Sequence, residues 1–250
     1  MIFLRLKKIK AIKVRLLNFL KNNFILQNLA ASLVAIIPPF LENTIAKYLA
    51  LKKALYITAH DKTTGNYLEF GVFTGSSFNY AIKANREIEK IFGRNYCEFI
   101  GFDSFEGFGQ IKDEDIHPVF TNEIFSVNER KVSNNIKKIS KGQNVRLVKG
   151  FFQDTIKDKT TNDLNIKNKS RVIMIDCDLK ESTKLALNFV KNSLQVGTII
   201  LFDDFLDYKG CIDKGEYGAF EEFKLENPNL LFRRAFDYGY RGRVFIVYSV

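Results

Sequence analysis

The chain has 250 residues, 46% of them hydrophobic, with 24 Phe and no Trp. It is therefore long enough for one α/β domain with a sizeable, phenylalanine-rich core. The three cysteines form no CxxC pair, which argues against both a zinc site and a disulfide framework. Cys97 and Cys177 fall in or beside predicted strands, so we expect buried thiols and a reducing, cytoplasmic location.

The formal net charge of +10 is concentrated near the N-terminus. Residues 1–60 contain ten Lys or Arg and one acidic residue, whereas the other 190 residues contain 28 basic and 27 acidic ones. We therefore predict two parts: a basic helical extension or lid at residues 1–60, and a nearly neutral main domain at residues 61–250.

Apolar residues recur at three- and four-residue steps in the extension and predict an amphipathic basic helix. They are Leu6, Ile9, Ile12, Leu16, Leu20 and Phe24. Residues 1–27 either contact a membrane surface or pack on protein as a lid or dimer element, which is the commoner arrangement. Nucleic-acid binding is disfavoured, because aliphatic side chains rather than stacking aromatics separate the cations.

Neither a membrane span nor a secretory signal is predicted in the extension. The apolar run at residues 29–41 is only 13 residues long and contains two prolines, so it is too short to span a bilayer. Lysines interrupt the apolar residues before it, and no small-residue cleavage site follows.

The segment 67–77 predicts a short buried strand, a glycine turn and the start of a helix. Gly71 and Gly75 would let a ligand approach the bare backbone, and Ser76 or Ser77 could cap the helix. Glu69, two residues before the first glycine, would repel a pyrophosphate but suits a ligand with a cationic centre. These features favour S-adenosylmethionine (SAM) over NAD or ATP. A glycine turn alone is a weak signal, because strand-to-helix turns need glycine anyway.

A second strand at residues 98–105 strengthens this interpretation. It is an apolar run that reaches Asp103, and the interval from Gly75 accommodates one helix. In a doubly wound sheet this carboxylate lies beside the glycine turn, where it could accept both hydroxyls of a ribose. Two strand ends, each with an acid, indicate a nucleoside site.

The remaining elements continue the alternation of helix and strand. We predict helices at 124–140, from Ser182 or Thr183 to Leu194, and at 217–226, and strands at 145–150, 171–176, 197–204, 230–238 and 243–250. The turn at residues 239–242 suits an antiparallel hairpin. The predicted fold is a single doubly wound, mostly parallel, seven-stranded α/β sheet with a C-terminal antiparallel hairpin, which is the layout of class I methyltransferases.

Four acids follow neighbouring strands. Asp176 and Asp178 come after the fourth strand, and Asp203 and Asp204 end the fifth. Ligands of open α/β sheets bind outside the carboxyl ends of the strands, so these acids should face one crevice. Crowded carboxylates repel unless a cation lies among them, and oxygen-rich sites suit Mg²⁺. A solvated turn or helix cap would explain one such pair, but two adjacent pairs favour a metal.

At this point the sequence resembles the macrocin O-methyltransferase family, which is Mg²⁺-dependent and methylates sugar hydroxyls with SAM. The matching stretches are residues 68–77, 102–108, 149–155, 175–183 and 202–205. The resemblance implies that Asp176, Asp203 and Asp204 hold the metal and that Asp178 is the general base. It also implies a set of SAM-binding residues: Glu69, Gly71, Phe73, Thr74, Gly75, Ser76, Asp103, Ser104, Phe105, Phe152, Gln153, Asp154 and Asp176.

Two features depart from the family pattern and bear on the acceptor. Lys180 stands where the family usually has Tyr, and the strongly basic N-terminus overlaps the region that covers the acceptor in the family. We expect the acceptor to be a sugar hydroxyl of a glycoside, glycan or glycolipid precursor, met in the cytoplasm or at the inner membrane surface. Whether the protein forms a homo-oligomer is left open. His117, in an acidic loop, is a minor candidate base.

Two other classes of protein remain as alternatives. An NAD-dependent sugar-modifying enzyme would want a G-x-G-x-x-G turn, but the glycines here are spaced G-x-x-x-G. A non-catalytic interaction protein could keep the same fold, but all four acids are present.

Overall fold

The computed structural model describes residues 21–93, 97–121 and 124–250. The chain divides into two compact units, Met1–Glu42 and Asn43–Val250. The second unit therefore begins before the boundary predicted at residue 60. Most of the predicted amphipathic helix, up to residue 20, lies outside the described residues.

Helix α1 (Phe24–Ala35) belongs to the first unit. Asn23 caps it, because the side-chain oxygen of Asn23 accepts a hydrogen bond from the backbone N–H of Leu26 at 3.1 Å. None of its residues is buried, although most of them are apolar. Among the described residues, no single helix is long and apolar enough to cross a membrane; α1 and the helix that begins at Pro39 meet that requirement only as a bent pair.

The second unit is built on one seven-stranded sheet with the order β3-β2-β1-β4-β5-β7-β6. Strands β1 to β5 are parallel, and β7 pairs antiparallel with both β5 and β6. The strands are β1 (Asn66–Phe70), β2 (Glu98–Asp103), β3 (Asn144–Lys149), β4 (Ser170–Ile175), β5 (Ile199–Phe202), β6 (Leu231–Tyr238) and β7 (Gly242–Ser249). The predicted sheet and its closing hairpin are confirmed.

Helices cover both faces of the sheet. They are α2 (Pro39–His60), α3 (Ser76–Phe92), α4 (Glu129–Ser140), α5 (Phe152–Thr155), α6 (Lys180–Val190) and α7 (Gly215–Glu226). Short 3₁₀ turns lie at Asp113–Asp115, Thr161–Leu164 and Lys191–Ser193, and a tight turn lies at Asp207–Gly210. Helix α4 begins five residues later than predicted, because Asn128 caps it by accepting from Lys131 N–H at 3.0 Å.

Each face of the sheet has its own hydrophobic core. Residues 43–60 of α2 pack with α3 and α4 on one face, where Leu51, Leu55 and Phe78 are fully buried. Helices α5, α6 and α7 pack on the other face around Leu187 and Phe220. Strand β4 is buried along its whole length. The carboxyl ends of β1, β2, β4 and β5 therefore open at one edge of a rigid sheet, where the predicted site lies.

Candidate active site

A cavity lies at the carboxyl ends of β1, β2 and β4. It encloses about 550 Å³ of open space, part of it continuous with solvent. Its walls are Gly71, Phe73, Asp103, Ser104, Gly107, Phe108, Phe125, Gly150, Phe151, Phe152, Gln153, Asp176, Cys177, Asp178 and Ser182. Sequence-predicted cofactor and carboxylate residues thus meet in one place.

The turn after β1 needs glycine because of its backbone conformation and its close packing. Gly71 has φ +90°, and a Cβ added there would lie 1.7 Å from the carbonyl oxygen of Asp176 on the neighbouring strand. Gly75 has φ +78°, and its Cβ would press on Val132 and Ile136 of α4. Both glycines therefore serve backbone conformation and packing. Of the two, only Gly71 lines the cavity.

The predicted serine cap of α3 is wrong. The N-cap residue is Gly75, and no side chain caps the helix there. Ser77 instead donates its hydroxyl hydrogen bond to Glu69 Oε1 at 2.7 Å, because its side chain is buried against β1. The free N–H groups of the first helical turn are thus not occupied by a local hydroxyl.

Asp103 shapes the turn on which a ligand would lie. Its Oδ2 accepts hydrogen bonds from the N–H groups of Val72 at 2.6 Å and Phe73 at 2.7 Å, and its Oδ1 accepts from Phe105 N–H at 2.6 Å. Phe73 and Phe105 both have positive φ, at 48° and 60°. One carboxylate therefore holds two strained turns at the cavity wall.

Glu69 lies behind the turn and does not line the cavity. It is fully buried, and both of its oxygens accept hydrogen bonds from side-chain hydroxyls, those of Ser77 and Tyr67. Burial raises the pKa of Glu69 to about 8. A direct contact between Glu69 and SAM stays a prediction, while its hydrogen bond to Ser77 ties β1 to the start of α3.

The other predicted SAM residues divide into two groups. Among the cavity walls are Gly71, Phe73, Asp103, Ser104, Phe152, Gln153 and Asp176. Thr74, Gly75, Ser76, Phe105 and Asp154 lie outside those walls, and Asp154 lines a neighbouring cavity with Gln153 and Phe151. The resemblance also implied that residues 150–154 border the adenine, and Phe151 of that segment lines the cavity. Phe108 and Phe125 are wall residues that were not among the predicted SAM-binding residues.

Three of the four predicted acids converge at the floor of the site. Asp176, Asp203 and Asp204 each present a carboxylate oxygen, and these oxygens lie within 4.8 Å of one another. The ammonium Nζ of Lys47 lies 2.8 Å from Asp176 Oδ2 and 2.6 Å from Asp203 Oδ2. A cationic group therefore occupies the position between two of the carboxylates.

Asp178 completes the carboxylate group. It is buried in the cavity wall, has φ +62°, and is hydrogen-bonded through its side chain to Asp204. Burial, reinforced by the neighbouring negative charges, raises the pKa of both Asp178 and Asp204 well above the ordinary range for Asp. Burial also raises the pKa of Asp176 to about 6, and the charge of Lys47 opposes that rise. The group contains more carboxyl groups than its own cations, Lys47 and Arg241, could neutralise if every one of them were ionised.

Four residues of this site carry no signal in the local sequence. Besides Lys47, they are Glu216, Tyr238 and Arg241. Glu216 is fully buried and accepts a hydrogen bond from Asp204 N–H at 3.0 Å. Tyr238 donates to Asp203 Oδ1 at 2.9 Å. Arg241 lies 2.8 Å from Asp204 Oδ1, as an ion pair not aligned as a hydrogen bond, and 2.7 Å from Asp207 Oδ2.

Comparison with known families assigns this arrangement. The model of the Macrocin-O-methyltransferase (TylF) family matches residues 45–228, which is most of the chain. The chain belongs to this family. It is a SAM-dependent O-methyltransferase, and the resemblance inferred from the sequence is confirmed. A search of curated protein sequences gave no match.

Solved structures agree on the fold. The O-methyltransferase NovP superimposes with a TM-score of 0.64 at 18% identity, covering 82% of this chain and 81% of NovP. Calicheamicin methyltransferase CalS11 gives 0.64 at 20% identity, covering 93% and 90%. An O-methyltransferase from Bacillus cereus, in complex with SAH, gives 0.51 at 15% identity, covering 90% and 89%. At these identities the similarity establishes the class I methyltransferase fold.

An aromatic loop stands beside the carboxylates. Phe120, Leu179 and Tyr208 form a small buried cluster against which Phe108 and Phe125 pack. His117 stacks on Phe120 with ring centroids 4.3 Å apart, and its Nδ1 accepts from Val119 N–H at 3.4 Å. These contacts give His117 a packing role in the loop.

The same loop sets the start of α6. Asp115 is buried and accepts hydrogen bonds from the N–H groups of Lys180 at 2.8 Å and Glu181 at 3.4 Å, so the helix begins at Lys180 and not at Ser182 or Thr183 as predicted. The side chain of Lys180, the departure from the family's usual Tyr, pairs with Glu222 on α7. Its ammonium is therefore held by an acid on the neighbouring helix.

Proposed function

We propose that the protein transfers the methyl group of SAM to a hydroxyl of a sugar-containing acceptor, with Mg²⁺ bound by Asp176, Asp203 and Asp204. The observation that carries this proposal is the cluster of those three carboxylates, one of which, Asp176, lines the cavity that Asp103 and the glycine turn build. CalS11 is described as a TDP-rhamnose 3'-O-methyltransferase, which supports a sugar acceptor.

The cavity fits SAM in size and chemistry. It has a carboxylate at the end of β2, an exposed glycine backbone, and aromatic walls from Phe108, Phe151 and Phe152 for a purine ring. We assign the ribose hydroxyls to Asp103 and the adenine to the wall formed by residues 150–153. When bound, SAM supplies an electrophilic methyl group on a cationic sulfur.

The carboxylate cluster fits a hard divalent cation. Its ligand atoms are all carboxylate oxygens, which Mg²⁺ prefers, and they lie close enough to share one ion. The ammonium of Lys47 lies against two of these carboxylates, which supports a preference for positive charge at this position. When bound, Mg²⁺ would orient the acceptor hydroxyl and lower its pKa.

Asp178 is the proposed general base. It lies in the cavity wall, next to the cluster, and is held by its hydrogen bond to Asp204 and by a left-handed backbone conformation. A carboxylate at that position can take the proton of an acceptor hydroxyl as the methyl group is transferred. Arg241 pairs with Asp204 and Lys47 pairs with Asp176, so these cations balance part of the negative charge around Asp178.

Metal removal tests the proposal directly. We expect methyl transfer from labelled SAM to a panel of nucleotide-linked sugars and glycosides, complete loss after treatment with EDTA, and recovery on addition of Mg²⁺ or Mn²⁺. Full activity in EDTA would exclude the metal. Binding of SAM without transfer to any sugar, but with transfer to a phenol or catechol, would exclude the sugar acceptor.

For the first unit we propose contact with an anionic membrane surface, where a glycan or glycolipid precursor would be met. Residues 22–41 contain no charged side chain, and Phe24 and Ile25 of α1 are each 80% exposed. The chain before residue 28 carries seven Lys or Arg and no acid. An apolar helix next to a cationic segment suits an anionic lipid surface, to which each basic side chain adds about 1 kcal/mol.

Vesicle co-sedimentation tests this membrane contact. Full-length protein should pellet with phosphatidylserine-containing vesicles at low salt, and the double substitution Phe24→Ser with Ile25→Ser should weaken that binding. Leu225→Ser, at an equally exposed position on α7, is the matched control and should change nothing. If wild-type protein stays in the supernatant, the first unit serves as a lid or dimer element instead.

A further inference from the structure

Lys47 contacts two of the three carboxylates that are candidates to hold a metal ion. It projects from α2, and its Nζ contacts one oxygen of Asp176 and one of Asp203, at 2.8 and 2.6 Å. The family model matches the chain from residue 45, so Lys47 lies within the matched part. Its side chain is only 17% exposed, unlike that of an ordinary surface lysine.

Two neighbouring contacts hold Lys47 in this position. The next turns of α2 are anchored in the core through Ala50, Leu51 and Ala54. Near the start of the second unit, Asn43 Oδ1 accepts a hydrogen bond from Tyr240 N–H at 3.1 Å, which ties α2 to the turn between β6 and β7. The ammonium group is thus delivered to the carboxylates by a fixed helix, which keeps the entropy cost of the ion pairs low.

The ammonium and a divalent ion are mutually exclusive at these oxygens. Mg²⁺ binds carboxylate oxygens at about 2.1 Å, so an ion on either oxygen would lie less than about 5 Å from Nζ in its present place. An ion that used both oxygens would lie closer still. In a site that is largely buried, two cations at such a separation repel strongly.

We propose that Lys47 is a built-in counter-cation of the Asp176–Asp203 pair, which competes with the divalent metal and sets the affinity of the site for it. This inference rests on the metal site of the proposed function. It assigns Lys47 a positioning role: the lysine keeps the two carboxylates together and oriented while no metal is bound, and it withdraws when the metal binds.

Direct measurement of Mn²⁺ binding tests the inference without an activity assay. By isothermal titration calorimetry on full-length protein, we expect Lys47→Met to bind Mn²⁺ at least tenfold more tightly than wild type, because its carboxylates have no internal competitor. Lys47→Arg keeps the charge and should bind no more tightly than wild type. Lys52→Met, at an exposed position on the same helix, is the matched control and should leave the affinity unchanged.

Thermal unfolding gives a second, independent readout. In EDTA, Lys47→Met should unfold at a lower temperature than wild type, since two carboxylates lose their counter-charge. Saturating Mn²⁺ should raise the unfolding temperature of Lys47→Met more than that of wild type. A lysine with a merely structural role would lower the unfolding temperature of the variant without enlarging its response to Mn²⁺.

The outcomes separate failure of this inference from failure of the metal site. If wild type and Lys47→Met bind Mn²⁺ equally, or the variant binds more weakly, competition by Lys47 is wrong and the metal site stands. Equal tightening by Lys47→Arg and Lys47→Met would also overturn competition by charge. If neither wild type nor Lys47→Met binds Mn²⁺ at millimolar concentration, the metal site itself is wrong and the inference falls with it.

Discussion

Buried charged side chains lie at both ends of strand β4, but they are stabilised by different kinds of groups. At the start of the strand, the Arg171 guanidinium is 1% exposed and donates to three neutral acceptors. These are Thr58 Oγ1 at 2.7 Å, Leu55 O at 2.8 Å and Asn85 Oδ1 at 3.4 Å. After the end of the strand, Asp176 shares the ammonium of Lys47 with Asp203, and Asp204 and Asp178 lie next to this pair.

Helix α2 contributes side chains or carbonyl groups to both ends of β4. Near Arg171 it supplies the hydroxyl group of Thr58 and the carbonyl group of Leu55. These neutral dipoles stabilise the single positive charge of the guanidinium group. Near Asp176 it supplies Lys47, which pairs with two carboxylates, while Asp178 and Asp204 lie beside them without an ion pair to α2. A buried charged side chain whose hydrogen bonds are all made is typical of a structural role. Carboxyl groups that outnumber their cations beside a cavity are instead typical of a ligand-binding site.

The largest expected effect comes from removing a carboxylate from the cluster at the C-terminal end of β4. Asp203→Asn should lower kcat/KM at least about a thousandfold, about 4 kcal/mol of transition-state stabilisation, because the proposed metal site would lose a ligand. Unfolding in urea measures the separate cost of losing the ion pair with Lys47, while the amide oxygen can still accept from Tyr238. Asp158→Asn, at an exposed loop position, is the control. Unchanged turnover would remove Asp203 from the site.

Asp178→Asn should lower kcat on the order of a hundredfold, because the variant cannot take a proton. Its affinity for Mn²⁺ should stay within a few-fold of wild type, which distinguishes a base from a ligand. Steady-state kinetics and calorimetry on the same preparation provide the two numbers. Loss of Mn²⁺ binding together with activity would reassign Asp178 to the metal.

At the N-terminal end of β4, Arg171→Met should lower the free energy of unfolding without changing the rate of methyl transfer. Three buried acceptors lose their donor, which should cost about 3 kcal/mol of unfolding free energy. Turnover per folded molecule should remain near that of wild type. Lys169→Met removes a cation from the same strand end but from an exposed hydrogen bond, and should have a much smaller effect on stability. A thousandfold loss of turnover in Arg171→Met would mean that Arg171 has a role in activity and not only in stability.

The smallest expected effect concerns pH. The folded-state pKa of Glu69 is raised to about 8 from an ordinary 4.5, so the folded protein keeps a proton that the unfolded chain releases. The stabilising contribution of that proton is complete below about pH 4.5 and is lost as pH rises toward 8. Between pH 5.5 and 7.5, wild type should lose about 2 kcal/mol relative to Glu69→Gln, which does not titrate.

Chemical unfolding at several pH values measures the Glu69 effect as a difference, in which the other titrating groups largely cancel. Glu226→Gln, at an exposed position on α7, controls for the loss of one negative charge. A flat difference between wild type and Glu69→Gln would mean that Glu69 stays ionised in its buried position.

The sheet could be predicted from the sequence because its signals are local. Each parallel strand is a short apolar run, and the acids that follow β2, β4 and β5 stand at the ends of those runs. The rule that ligands bind at the carboxyl ends of strands then brings Asp103, Asp176 and Asp203 to one edge. For the same reason, the convergence of the carboxylates followed from the predicted strands alone.

The groups that balance those acids could not be predicted, because they come from distant parts of the chain. Lys47 lies 129 residues before Asp176, and Arg241 follows Asp204 by one helix and one strand. The start of α6 was misplaced for the same reason: its capping carboxylate, Asp115, is 65 residues away. Glu216 lies just before the helix predicted at 217–226, and only the packing of α7 on the sheet buries it.

The hairpin of β6 and β7 has a consequence for how the protein is made. Tyr238 and Arg241, which contact Asp203 and Asp204, are among the last residues that the ribosome adds before β7. A nascent chain that has already formed β1 to β5 would expose its cluster of acids without these partners. The carboxylate cluster therefore gains its contacts with Tyr238 and Arg241 only when the β6–β7 hairpin joins the sheet, after the five parallel strands have been synthesised.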